Sequence, residues 1–368
     1  MGRKLKFVPT PSKPSTRYFM TEPSPEKPKR RVRYLGRNPR HFHEKYKEHQ
    51  PDRYPDDVAK VIAGGKTPAG THRPIMAAEI LTMLEPRSGE VAVDCTLGYG
   101  GHARLLLAAV QPGGRLLGMD ADPIELARTE ARLRGLGFPP ESLVVRRMNF
   151  AGLPRFLADE SPAGADVLLA DLGVSSMQID DPDRGFSFKV AGPLDMRMNQ
   201  AKGRPASVLL SGLSRPALAR ILAENADEPH ALAMAGAILR AHSAGPIETT
   251  QGLAEVVRGE AERLGLSSDA AEDVVRRVFQ AIRIEVNDEF GALTEFLRVL
   301  PACLKPGGRV AILTFHSGED RRVKSAFKDG LRDGVYASIA DDVVRASAAE
   351  RRDNPRSSSA KLRYAVRA

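Results

Sequence analysis

No stretch of the chain approaches the roughly 18 consecutive apolar residues that a membrane-spanning helix needs, and no charged start followed by an apolar run reads as a secretory signal. A membrane or secreted protein is therefore not expected, and the cytoplasm is. Cysteine is scarce: only Cys95 and Cys303 occur in 368 residues. Their separation suits neither a zinc motif nor a disulfide framework, so a reducing compartment is expected, no metal is called for, and both are read as small apolar residues. No internal repeat is found, which speaks against a solenoid or propeller.

What is present is a globular composition, 42% hydrophobic, on a length that suits two or three folding units. The net charge of +9 is unevenly placed, because residues 1–70 hold 17 Lys and Arg against 7 Asp and Glu while the rest holds 38 against 39. The same segment is rich in proline (Pro9, Pro11, Pro14, Pro23, Pro25, Pro28, Pro39), which removes backbone donors and resists packing. It reads as a largely disordered basic arm able to bind a polyanion such as RNA by counterion release. A solvated tail that only aids solubility is the plainer alternative. An organelle-targeting peptide is a third, against which the proline density argues. His41 and His43 belong to this arm and lack the partners a metal site would need.

From Thr71 the texture changes. A helix is expected from about Pro74 to Leu84, ending at the turn Pro86-Arg87-Ser88-Gly89. Apolar runs at Val91–Cys95, Arg115–Met119, Leu143–Val145 and Val167–Ala170 then alternate with helical patterns around 101–110, 123–135 and 151–158, which implies a parallel sheet covered on both faces. Between about Asp181 and Asp288 the pattern breaks into four helical stretches, near 214–224, 228–241, 250–264 and 269–284, with Ser214 and Thr249 as caps. The α/β texture returns with a helix at 289–303, a turn at Lys305-Pro306-Gly307-Gly308 and a strand at Arg309–Phe315. A last strand, Lys361–Val366, is expected to close the sheet edge. The division expected is an arm at 1–70, a sheet domain in two parts at 71–181 and 289–368, and an inserted helical domain at 182–288.

The string Asp94-Cys95-Thr96-Leu97-Gly98-Tyr99-Gly100-Gly101-His102 follows the first strand and opens a helix. In a doubly wound sheet this turn lies at the carboxyl edge where ligands bind, and glycine lets backbone approach them. Asp120, 22 positions after Gly98, ends the second strand, where a carboxylate accepts from ribose hydroxyls. These features fit a nicotinamide dinucleotide or S-adenosylmethionine. Two details favour the latter: the turn departs from the spaced G-x-G-x-x-G fingerprint, and Asp94 would repel a pyrophosphate but attract a cationic sulfonium and ammonium. A plain connecting turn is the bland alternative. His102 is open between a structural and a cofactor-contacting role.

The fourth strand runs into Asp171-Leu172-Gly173-Val174-Ser175-Ser176-Met177-Gln178. Topology brings Asp171 beside the transferred group, making it the first catalytic candidate, with capping of the next turn as its alternative role. Downstream, Asp180–Phe188 and Gly192–Met198 combine acids, arginines and aromatics without helical period, as functional loops do.

Six strings in register, "DCTLGYGGH", "DLGVSSMQIDDPDRGFSF", "GPLDMRM", "FQAIRIEVNDE", "TFHSGEDRRVK" and "NPRSSSAKLR", resemble the RsmH (MraW) family of small-subunit ribosomal RNA cytosine-N4 methyltransferases. The resemblance runs from about His72 to Arg363. It implies a class I, Rossmann-like methyltransferase sheet with a helical insertion, S-adenosylmethionine as cofactor, and as partner small-subunit ribosomal RNA within an assembled or nearly assembled subunit. The implied substrate is the N4 amine of cytosine 1402 in 16S RNA, and a homodimer stays open. Carried over by position, the cofactor contacts are Gly100, Gly101, His102, Asp120, Phe150, Asp171 and Gln178, beside the Asp94 and Gly98 read from the turn itself. Three departures are the arm before Thr71, Asp273-Val274-Val275-Arg276-Arg277 without a Lys-His-Pro, and a shortened stretch between Lys324 and Asn354.

A cytosine N4 amine is a poor nucleophile, its lone pair being delocalised into the ring. An acceptor for an N4 hydrogen is expected at Asp171 or a neighbouring carbonyl, with Asp195 as runner-up. Phe186 and Phe188 are candidates to hold an unstacked base, or else hydrophobic plugs. Phe150 is a candidate adenine neighbour, or else core. Arg184, Arg197, Arg283, Arg321 and Lys324 are candidate phosphate contacts, and His316 a pocket residue. The competing functions are a small-molecule methyltransferase, against which the arm and insertion speak, and a non-catalytic RNA-binding assembly factor, which would need none of Asp94, Asp120 and Asp171. A dinucleotide-dependent oxidoreductase is more distant.

Overall fold

The alternation of apolar runs and helical patterns becomes, in a computed structural model that describes residues 74–368, a seven-stranded sheet ordered β3-β2-β1-β4-β5-β7-β6. The basic arm, His41 and His43 lie outside the described residues. The strands are β1 (Val91–Asp94), β2 (Arg115–Asp120), β3 (Leu143–Arg147), β4 (Ala165–Asp171), β5 (Leu304–Thr314), β6 (Tyr336–Ile339) and β7 (Lys361–Arg367). β1 to β5 run parallel, and β7 is antiparallel to both of its neighbours. The middle residues of β2 are all buried, as expected of a parallel strand covered on both faces.

Helices cover the two faces. On one lie α1 (Ala77–Leu84), α2 (Gly101–Ala109) and α3 (Pro123–Arg134), with Ile80, Leu84, Leu106, Leu107 and Leu133 in one buried cluster. On the other, Phe156 of α4 (Leu153–Glu160) is buried in a second cluster. A short α5 (Ser176–Asp180) follows β4. Five helices then succeed one another without a strand: α6 (Ala206–Ser211), α7 (Arg215–Ala226), α8 (Ala231–Ala244), α9 (Thr250–Arg263) and α10 (Ser268–Asn287). They bury a third cluster that includes Leu222, Met234, Ile238, Val257, Val278 and Ile282. Ser214 and Thr249 act as N-caps, their side chains accepting from Ala217 N and Gly252 N. α11 (Glu289–Cys303) and α12 (Ser317–Arg332) return to the second face through Phe296, Leu300 and Phe327, and α13 (Ala348–Asp353) precedes β7.

The structure corrects the sequence reading at three points. β5 begins at Leu304, ahead of the expected Arg309, because the ladder jumps from Ala165↔Leu304 to Val167↔Arg309 and the Lys305–Gly308 turn bulges out between these pairs. β7 does not close the sheet: β6 pairs on its outer side. α6, only 6 residues long and without a side-chain cap, has no strong sequence signal. Both cysteines are buried in the second cluster, and burial pushes the Cys303 thiol up to about 11. No helix among the described residues is long and apolar enough to cross a membrane.

Strand order reverses direction at β1, where the chain goes out to β2 and β3 and comes back to β4 on the other side. A cleft opens at such a switch point. Here the reversal sets Asp94, Asp120 and Asp171, the last residues of β1, β2 and β4, along one edge.

Candidate functional site

A cleft of about 540 Å³ lies over that edge, lined by Asp94–Tyr99, Gly101, His102, Asp120, Phe150, Asp171 and Gln178 among others. Its floor is the glycine turn. Cys95 N donates to Leu169 O on one side and Leu97 N to Met119 O on the other, so the backbone beyond β1 is pinned between β4 and β2. Gly98 and Gly100 then take φ values of 44° and 77°, which disfavour a side chain. A Cβ at Gly100 would stand 2.8 Å from Thr129 Cγ2. Gly100 itself does not line the cleft; it is the residue that starts α2, whose first turn carries Gly101 and His102.

Asp120 closes the loop from the other side. Its Oδ2 accepts from Gly98 N at 2.7 Å and its Oδ1 from Asp122 N at 2.8 Å. Each oxygen keeps a lone pair for a further donor. Asp122 caps α3 through Ile124 N and Glu125 N, and its Oδ2 accepts from Gln178 Nε2 at 2.8 Å and Arg184 Nη1 at 2.7 Å. Gln178 Oε1 in turn accepts from Ser175 N in the capping box of α5. Asp94 Oδ1 accepts from Thr96 N at 3.1 Å, and Thr96 Oγ1 accepts from Asp171 N at 2.6 Å, which ties the tips of β1 and β4 together.

Electrostatically the three carboxylates are under strain. Among the described residues no Lys or Arg pairs with Asp94, Asp120 or Asp171; the only partner of that kind is His102, whose Nε2 lies 3.6 Å from Asp171 Oδ2. Burial, and then the Asp120 charge, push Asp94 up to about 7 against the hydrogen bonds from Thr96. Burial raises Asp120 to about 6, with Asp122 and Glu125 adding to the rise and the two backbone N–H groups opposing it. Asp171 reaches about 8 through burial, Asp94 and Glu319, although 29% of its side chain meets the open side of the cleft. Such an edge attracts cations and repels phosphate.

The far wall comes from α10 to α12. Arg283 donates from Nε and Nη2 to Glu289 at 2.8 and 2.9 Å. Asn287 joins Met198 N and Met196 O. His316 Nε2 lies 3.2 Å from Glu319 Oε1. Burial would raise Glu319, but His316, the Phe315 N–H and Arg283 outweigh it and hold the carboxyl below its usual range. Arg322 lies 3.5 Å over the Phe290 ring. Glu289, Phe290, Glu319 and Arg356 line the cleft without having been singled out from sequence. For Glu289, Glu319 and Arg356 the signal was available in the strings "IRIEVNDE", "TFHSGEDRRVK" and "NPRSSSAKLR", but the residues are far apart in the chain and only folding joins them.

Several candidates are not brought into the cleft. Asp195 is held by Arg197, which donates from its backbone N, Nε and Nη2, and does not line it. Phe186 is buried in the helical core, and Phe188 packs edge-on against Phe279 at 5.1 Å, so neither presents a free ring to a base. Four of the five cations expected on phosphate are spent internally: Arg184 on Asp122, Arg197 on Asp195, Arg283 on Glu289 and Arg321 on Asp227. Only Lys324 is exposed without such a partner among the described residues. Phe150 does line the cleft, with its ring edge-on to Phe296 at 5.3 Å, and His316 lines it too.

A family model described as the MraW methylase family matches residues 69–368. A protein of Alkaliphilus metalliredigens called ribosomal RNA small subunit methyltransferase H 2 is 48% identical over 346 residues, covering 93% of this chain and 99% of its own. One of Lachnoclostridium phytofermentans called ribosomal RNA small subunit methyltransferase H 1 is 47% identical over 343 residues, covering 92% and 93%. Among solved structures, a putative rRNA-methylase from Clostridium thermocellum superposes with a TM-score of 0.38 at 11% identity, over 79% of this chain and 95% of that one.

Proposed function

From the premise that the chain belongs to the MraW methylase family, we propose that it methylates the N4 amine of a cytidine in small-subunit ribosomal RNA, with S-adenosylmethionine as donor. The observation that supports the donor is the row of three carboxylates, Asp94 buried and Asp120 and Asp171 half-buried, unpaired by Lys or Arg among the described residues, at the tips of β1, β2 and β4. Bound there, S-adenosylmethionine supplies an electrophilic methyl group on a positively charged sulfur.

The chain's own groups divide the remaining work. Asp120 accepts from the ribose hydroxyls, and Asp94 faces the cationic methionine end together with the backbone of Gly98, Gly101 and His102, whose turn Gly100 shapes. Phe150 flanks the adenine, and Gln178, fixed by Ser175 and Asp122, lines the same wall. Asp171 takes a proton from the N4 amine, so that nitrogen density is free in the direction of the methyl group. Positioning carries much of the rate, since it removes the entropy of bringing two partners into line. Asp195, tied up by Arg197, takes no part in this reading. Residues 182–288 serve as an inserted helical domain whose last helix supplies Gln280, Arg283 and Asn287 to the far wall. The substrate is an assembled or nearly assembled small subunit in the cytoplasm, met by a monomer or a homodimer, and its methylated base is cytosine 1402.

The test is to incubate the protein and labelled S-adenosylmethionine with unmodified small subunits and to map the labelled base. N4-methylated cytidine at one site is expected. Label appearing in free cytidine and not in RNA, or no heat of binding with the donor, would overturn the reading.

A further inference from the structure

Resting on the reading of an RNA substrate, we propose that Lys189 and Arg356 form a phosphate subsite at the rim of the cleft, which holds the sugar-phosphate backbone of the nucleotide whose base enters. Among the described residues, the Lys and Arg side chains that line the cleft are Lys189, Arg283 and Arg356. Arg283 is neutralised by its two-point pairing with Glu289 and is only 16% exposed. The other two keep capacity. Lys189 is exposed, and no carboxylate lies within ion-pair distance of its ammonium among the described residues. Arg356 is tied through one nitrogen, Nη2, to Asp180 at 3.1 and 3.2 Å, while Nη1 has no hydrogen-bond partner there. A shielded donor without a partner is a group that still lacks its acceptor.

Arg356 is also fixed in place. It sits in a single turn, Pro355–Ser359, between α13 and β7, where Ser357 is buried and its Oγ donates to Asn354 O at 2.8 Å. Upstream, Glu350 Oε1 accepts from Met76 N at 2.8 Å, which fastens α13 to the start of α1. The turn that carries Arg356 is thus a strap anchored at both ends, and Asn354 and Ser359 on it line the cleft as well. Lys189 reaches the same space from the segment between α5 and α6, more than 160 positions away in sequence.

The charge pattern explains why such a pair is needed. Asp94, Asp120 and Asp171 make the floor of the cleft acidic, which suits the donor but opposes a polyanion. A base that leaves its stack to put N4 at the floor carries its phosphates with it as far as the rim. Lys189 is exposed and Arg356 half-buried in the cleft wall, and there an ammonium and a guanidinium with spare N–H groups offset the repulsion. Since the arginines first assigned to phosphate are consumed by Asp122, Asp195, Glu289 and Asp227, these two are the cations left to do it from the cleft wall.

The experiment measures methylation and binding of unmodified small subunits across a salt series, for the wild type, Lys189→Ala, Arg356→Ala and Arg356→Lys, with donor affinity by calorimetry. Lys189→Ala and Arg356→Ala should each weaken subunit binding roughly tenfold and flatten the plot of log K against log salt by about 0.7 to 0.9. Donor affinity should stay unchanged, and Arg356→Lys should recover the slope. The Lys189 side chain is exposed and has no ion-pair partner among the described residues, so its variant reports even if loss of Arg356 loosens the strap. Unchanged affinity and slope in Lys189→Ala and Arg356→Ala, in a wild type that methylates subunits, would overturn the subsite alone. A wild type that binds donor but transfers nothing to subunits would bring down the RNA reading and the subsite with it.

Discussion

His102 Nε2 stands 3.6 Å from Asp171 Oδ2 and makes no hydrogen bond to any described residue. Burial brings the imidazole down to about 4, so it is neutral at physiological pH, while Asp171 is raised to about 8. A short inward movement turns this contact into a hydrogen bond from imidazole to carboxylate, which favours the ionised form needed to accept a proton. His102→Phe keeps a ring and removes the donor. Its turnover should fall by roughly ten- to a hundredfold, with a much smaller change in donor affinity. The acid limb of its rate profile should move to higher pH, and His102→Gln should move it part of the way back. A Phe variant with the wild-type pH profile would reduce His102 to packing.

The three raised carboxylates also set a direction for pH dependence. A folded-state pKa above the unfolded value near 3.8 contributes stability that is complete below about pH 4 and is lost as pH rises through about 6, 7 and 8 at Asp120, Asp94 and Asp171. A cationic donor favours the ionised forms, so its stabilising effect grows through the same window. The melting-temperature increase on adding S-adenosylmethionine should be larger near about pH 8 than near about pH 5.5, and binding should release protons, seen as a dependence of calorimetric heat on the buffer. The demethylated product, which lacks the sulfonium charge, should show a weaker trend. A donor affinity flat across that range would mean that the carboxylates ionise without reference to the ligand.

Much of this was legible in the sequence, for physical reasons that vary from residue to residue. Asp94, Asp120 and Asp171 could be placed because each ends an apolar run, and parallel topology forces such ends onto one edge. Ser214 and Thr249 could be placed because capping is local. The far wall could not, since Glu289, Glu319 and Arg356 meet only after the chain has passed through the helices and returned. The charges were misjudged for a related reason. An arginine in an irregular loop looks the same whether it meets phosphate or a carboxylate from 62 positions away, as Arg184 meets Asp122. Phe186 and Phe188 looked exposed because their loop has no period, yet they are drawn into the helical core.

Arg184 supplies a prediction that separates structural from RNA-facing cations. Its Nη1 lies 2.7 Å from Asp122 Oδ2, with the side chains 6% and 1% exposed, and Nη2 donates to Met198 O at 2.7 Å. Arg184→Ala leaves Asp122 buried beside an empty volume, an imbalance that costs about 3–5 kcal/mol. Urea unfolding should register a loss of that size. Measured where the variant is still folded, the salt dependence of subunit binding should equal that of the wild type, unlike Lys189→Ala. A loss below about 1 kcal/mol would show that water or a rearranged side chain replaces the guanidinium.

The glycine turn offers a test that needs no RNA. At Gly100, φ is 77° and a Cβ would meet Thr129 Cγ2 at 2.8 Å. Thr129 is fully buried and cannot swing away, because its Oγ1 donates to Gly98 O at 2.6 Å. Gly100→Ala therefore faces two costs, a left-handed backbone of about 1–2 kcal/mol and a clash that must displace either the start of α2 or the turn itself. Donor affinity should drop more than tenfold, since Gly98, Gly101 and Asp120 move with the turn. Thr129→Ser removes Cγ2 and keeps the hydroxyl, so the double variant should regain the part of the loss due to the clash and retain the part due to φ. Calorimetry on the four proteins yields both terms. If Thr129→Ser restores nothing, the steric account of Gly100 fails and its backbone conformation alone explains the effect.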